Sequence, residues 1–138
     1  MPTKKLVELD EGGFSKEIDP VRLARLANEF KAWLLTIDPY DDPFGFLSED
    51  LPLVEAALNG TLPLPYKGQE PHYWEWHEAI LPIEYGRASA PFYNTIRGMS
   101  LIINRDSKGY TTGITLIEKD GKRYAWMEFE DPSKNDTV

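Results

Sequence analysis

Two hydrophobic rhythms divide this chain. Leu23, Leu26, Ala27, Phe30, Leu34 and Ile37 recur at spacings of three and four, apart from one adjacent pair. That is the stripe of an amphipathic helix, with Trp33 at its margin. Asp19 is a good N-cap and Pro20 suits the first helical position, while Pro39 disfavours helical geometry at Asp38. The helix is therefore expected over about 20–37. From Gly98 onward the apolar positions alternate instead, which is the rhythm of half-buried strands.

Strand register follows from the turns. Asp120-Gly121 is a strong two-residue hairpin signal, because a type I′ turn needs positive φ at both central positions. It pairs Lys119 with Lys122, Leu116 with Ala125, Ile114 with Met127 and Thr112 with Phe129. Asp106 to Gly109 reads as a loop between Arg105 and Tyr110, which sets Ile103 opposite Thr112, Leu101 opposite Ile114 and Met99 opposite Leu116. Strands over about 99–104, 110–118 and 123–130 then form an antiparallel β-meander. A one-residue slip would scatter its apolar face. The helix 20–37 is the natural cover for that face, so the expected class is α+β. Ile102, Ile117, Tyr124 and Trp126 fall on the opposite face. Either the segment His72–Tyr85 or a partner must cover them.

The remaining segments are less periodic. Leu6–Leu9 suits an edge strand, followed by a turn at Glu11-Gly12-Gly13. Asp38–Asp50 is a loop rich in Pro, Gly and Asp. Ser48–Asp50 cap a short helix from about Leu51 to Leu58, stopped by Asn59-Gly60. Thr61–Glu70 is an extended, proline-rich tether. Residues 72–81 lean to helix between Pro71 and Pro82, and Gly86–Arg97 reads as a loop with Ala90–Tyr93 extended. Residues 1–138 are expected to be one domain, with 131–138 a flexible tail.

Charge sharpens this picture. The chain carries a net charge of −8. Residues 32–86 hold one basic residue, Lys67, against ten acids, whereas the flanking segments are nearly balanced. Direct nucleic-acid binding is disfavoured, since phosphate neutralisation needs clustered Lys and Arg. A basic protein partner suits such a field, although an acidic face serves solubility as well. The N-terminus lacks a signal-peptide core and no window is apolar enough for a membrane span, so a cytoplasmic protein without membrane attachment is expected.

Candidate chemistry is sparse. With no cysteine, thiolate nucleophiles, disulfides and cysteine-ligated metals are excluded. The aspartates of 38–50 do not follow the calcium-loop pattern, so neither metal nor cofactor is expected. His72 and His77 lie about 140° apart on a helix and on opposite faces of a strand, a poor arrangement for joint ligation. His77 beside Glu75 or Glu78 offers an acid–base pair. No serine sits in a G-x-S-x-G or S-x-x-K motif, and no phosphate loop is present.

In its size, acidic charge, missing cysteine and missing catalytic motifs, the chain resembles the small acidic immunity proteins that bacteria pair with nuclease toxins. The resemblance implies a non-enzymatic inhibitor that blocks a toxin's cationic surface with carboxylates. Asp41, Asp42, Glu49, Asp50, Glu75 and Glu78 would supply the charge, and Tyr40, Phe44, Trp74 and Trp76 the apolar anchors. The rival is a small enzyme or ligand-binding domain using His77 and nearby carboxylates. A third possibility is a DNA mimic.

Overall fold

Asp19 opens the first helix through its side chain, which accepts the Val21 and Arg22 amide hydrogens at 3.0 and 3.2 Å. Pro20 takes a first-turn position that needs no donor. The computed structural model describes residues 3–73, 75, 78, 80–98, 104–105, 107–108, 110–113 and 116–130. Its elements are β1 (Thr3–Glu8), α1 (Pro20–Leu34), α2 (Phe46–Glu49), α3 (Leu51–Asn59), α4 (Ile83–Ile96), β2 (Asn104–Arg105), β3 (Thr111–Gly113), β4 (Leu116–Lys119) and β5 (Lys122–Phe129). The fold is α+β. Helix α1 closes a little before the expected Ile37, with Leu35 as its C-cap. Helix α3 ends on Gly60, whose φ of 76° is the left-handed geometry of a helix stop.

Helix α4 replaces the loop expected over Gly86–Arg97. Gly86 and Pro91 read as breakers, yet Tyr85, Ser89, Phe92, Tyr93 and Ile96 make a buried stripe at helical spacing. An interior proline costs roughly 3 kcal/mol and a glycine roughly 1. Burying one large apolar side chain returns about 1.5–3 kcal/mol, so several of them outweigh both breakers.

This helix changes what covers α1. Leu23, Leu26, Ala27, Phe30 and Leu34 bury against Phe46, Val54, Tyr85, Phe92, Tyr93 and Ile96 in a core built from helices. Among the described residues, α1 packs on α3 and α4 rather than on the expected sheet face. The sheet has a smaller cluster of its own in Val7, Leu9, Ala125 and Met127, with Phe129 against it.

The β4–β5 hairpin has the derived register, Lys119 opposite Lys122 and Leu116 opposite Ala125. Its turn residues Asp120 and Gly121 have φ of 53° and 77°. The order is β1-β5-β4, all antiparallel, so β5 is central and the meander is only loosely matched. The N-terminal strand, longer than the expected Leu6–Leu9, pairs Val7 with Ala125 and Leu6 with Trp126. In the other hairpin Arg105 faces Thr111 and Asn104 faces Gly113 across a register shift, where Arg105–Tyr110 pairing was expected. Pairings that involve Met99, Leu101, Ile103 or Ile114 lie outside the described residues, as do Ile102 and the tail 131–138.

Leu116 was assigned to the covered face but is 52% exposed on its edge strand. On the opposite face Tyr124 and Ile117 are half-buried cross-strand partners, while Trp126 is 42% exposed beside Leu6.

Two ties join sheet to helices. Glu130, just past β5, donates its amide to Asp19 at 2.7 Å and engages the Arg25 Nε with both carboxylate oxygens at 3.2 Å. Hydrogen bonding to Arg25 holds the Glu130 carboxyl below its ordinary range. That tie is complete at neutral pH and is lost as the pH falls through the lowered value. At the end of α4, Gly98 accepts the Ser15 amide at 2.9 Å. Its φ is 84°, and a Cβ there would lie 2.3 Å from the Ser15 carbonyl oxygen, so only glycine fits.

Candidate functional site

The expected binding residues part into two groups. The loop between α1 and α2 presents one of them. Tyr40 is 99% exposed, and Asp41 and Glu49 are also exposed. The loop backbone is nonetheless tied down. Asp38 accepts the Tyr40 amide at 2.9 Å through its side chain and the Asp41 amide at 2.9 Å through its carbonyl. Asp42 accepts the Phe46 and Leu47 amides at 3.0 and 2.9 Å, satisfying donors at the start of α2. Asp42 is therefore engaged in building the loop, and Phe44 stacks on Phe46 with ring centroids 5.4 Å apart, half-buried. Of the later residues, Glu78 is exposed and Glu75 half-buried. Trp74, Trp76 and His77 lie outside the described residues, as does much of the helix expected over 72–81.

Asp50 belongs to the interior instead of the acidic surface. It sits at the joint between α2 and α3, fully buried. Its side chain makes no cap bond to α3, although capping was its expected role. One oxygen accepts the Tyr85 and Tyr93 hydroxyls at 2.6 and 2.8 Å, and the other meets His72 Nε2 at 2.7 Å. The His72 side chain is only 4% exposed. Phe46 stacks on Tyr85 at 4.5 Å, and His72 sets its edge against both rings. The Ser89 hydroxyl, one turn along α4 from Tyr85, is buried with no hydrogen-bond partner of ordinary geometry among the described residues.

Burial pushes the Asp50 carboxyl above its ordinary value, against the pull of its hydrogen bonds to Tyr85, Tyr93 and His72. Burial, then the Asp50 charge, pushes both tyrosine hydroxyls far up. A group whose folded pKa is raised keeps its stabilising contribution below the unfolded value and loses it above. Tyr85 and Tyr93 should therefore stay protonated in the folded protein well above the ordinary tyrosine value of about 10. Ultraviolet titration of the phenolates should show Tyr85 and Tyr93 ionising only as the protein unfolds in alkali. All seven tyrosines titrating reversibly with the fold intact would contradict this.

Chemically, the cluster is a carboxylate with three donors and no described opening to solvent. A groove of about 470 Å³ lies elsewhere, at the end of the sheet, between Glu8, Asp10, Lys16, Lys122 and Arg123. Within it Glu8 pairs with Lys16 and Lys122, and Asp10 pairs with Lys67. Among the described residues no group of three or more His, Asp or Glu could hold a metal ion, and no helix is long and apolar enough to cross a membrane.

The inward turn of Asp50 had no sequence signal, because Ser48 and Asp50 are equally good capping candidates. The cluster's other members had one. Tyr85, Ser89 and Tyr93 share a helical spacing that Gly86 and Pro91 obscured. No family model, curated protein or solved structure matches this chain.

Proposed function

We propose that this protein is a non-enzymatic inhibitor that binds a basic protein partner, of the kind immunity proteins offer to nuclease-type toxins. The docking surface is the loop that starts at Asp38 together with α2 as far as Glu49. One observation carries the reading: Tyr40 is 99% exposed on a loop whose backbone is hydrogen-bonded at both ends of its acidic run. An exposed tyrosine on a stiff loop costs little ordering entropy on binding and is a common energetic anchor. Asp41 and Glu49 add steering charge, and the exposed Glu78 adds to the negative field of the chain. Asp42 and Phe44 support the loop, and Asp50 takes no part in contact.

The test is a pull-down from the source cell, eluted with a salt gradient, followed by affinity measurements on the captured partner. A stoichiometric basic protein is expected. Tyr40→Ala should weaken it by about 2 kcal/mol, roughly thirtyfold. Asp41→Lys with Glu49→Lys should slow association and flatten its salt dependence. An acidic partner, or affinity and salt dependence unchanged from the wild type in both variants, would overturn the proposal.

A further inference from the structure

Of the five asparagines in the chain, only Asn59 is followed by glycine. Asn59 closes α3, exposed to solvent, and Gly60 follows as its left-handed stop. The Asn59 side-chain amide makes no hydrogen bond among the described residues. Gly60 has open space beside it, since a Cβ built there would meet no atom within 4 Å. Glycine thus leaves its backbone nitrogen bare where any other residue would shield it.

The Gly60 amide is also the most loosely held at this helix end. It shares its hydrogen between the Ala56 and Ala57 carbonyls, and the second contact is 3.4 Å long, beyond the ordinary range. The Ala56 oxygen already accepts the Thr61 and Leu62 amides at 2.9 and 3.1 Å, and a carbonyl has only two lone pairs. Helix ends fray. Asn59 and Gly60, both exposed, bury little that would resist it.

We propose that Asn59-Gly60 is a self-modification site, at which the chain exchanges a side-chain amide for a carboxylate. Once the last turn opens, the Gly60 nitrogen loses its hydrogen to base and attacks the Asn59 Cγ. A bond forms from that nitrogen to Cγ, the Cγ–Nδ2 bond breaks, and Nδ2 departs as ammonia. Water then opens the cyclic imide. Attack at Cγ gives aspartate, and attack at the main-chain carbonyl gives isoaspartate, in which Cβ has entered the main chain. The net change is water in and ammonia out, with no atom oxidised or reduced. Asp120-Gly121 is the other step of this kind, but an ionised carboxylate resists the same attack. Either product sets a negative charge at the C-terminal end of α3, where the last carbonyls are already partly negative. Isoaspartate also lengthens the main chain at the helix stop, so the Thr61 and Leu62 bonds to Ala56 no longer fit.

Ageing the folded full chain in mildly alkaline buffer tests this, read by ammonia release, isoelectric focusing and peptide mapping. Asn59 should be lost ahead of Asn28 and Asn94, which lie inside helices, to give aspartate and isoaspartate. Ammonia should appear in step with a more acidic band. Asn59→Gln keeps an amide with good helix propensity but needs a larger, slower-forming ring, and it should abolish both signals. In the isoaspartate fraction, hydrogen exchange at Thr61 and Leu62 should quicken. Asn59 still intact in the folded chain when the urea-unfolded chain has converted would overturn the site, and so would ammonia release that Asn59→Gln leaves unchanged. Unaltered exchange at Thr61 and Leu62 after conversion would overturn the effect on the helix stop.

Discussion

Replacing Asp50 with Leu should remove about 3–5 kcal/mol of stability, the scale of breaking a buried, hydrogen-bonded charge cluster. The reason lies in what remains. Tyr85, Tyr93 and His72 would each keep a buried donor with its acceptor gone, and each such donor costs about 1–3 kcal/mol. Domains of this size are stable by only about 5–15 kcal/mol, so the variant should sit near the edge of folding. Asp50→Asn should lose less, because its amide oxygen still accepts from one or both tyrosines. Urea unfolding gives the measurement: the midpoint should drop with the slope little changed. A loss below about 1 kcal/mol, typical of a lightly engaged surface residue, would mean that the cluster does not hold the helices together.

Phe30→Ala should cost a similar amount, about 3–5 kcal/mol, by a different route. Phe30 is fully buried in the middle of α1. Its ring meets Trp33, Tyr85, Phe92 and Tyr93 at centroid distances of 6.4, 6.0, 5.6 and 5.9 Å. Truncation leaves a cavity between α1 and α4 that rigid aromatic neighbours fill poorly. Phe30→Leu should recover part of the loss by refilling volume. If α1 were instead packed on the sheet, Phe30→Ala would lower hydrogen-exchange protection in β5 before α4. Protection lost first in α4 is the expected result.

These two residues also mark how far the sequence could be read. Phe30 was legible as a core position, because the period of three and four needs only the residues around it. The Asp19-Pro20 start of α1 and the Asp120-Gly121 turn are equally local. Caps, turns and periodicity act between residues within a few positions of each other, so a contiguous stretch carries them. The register of β4 on β5 could be derived for the same reason, since a two-residue turn leaves no slack.

Only the tertiary structure decided what each face meets. The stripe of α1 suits a sheet as well as a pair of helices. The choice fell to α4, whose buried stripe outweighs the local cost of Gly86 and Pro91. Strand β1 lies more than a hundred residues from its partner β5, and no local pattern specifies that pairing. Within the acidic run, Asp41 faces solvent, Asp42 builds the loop and Asp50 turns inward to two tyrosines and a histidine. Their sequence environments look alike. What separates them is which donors the folded chain brings within hydrogen-bond reach, a property of the packing and not of the residues themselves.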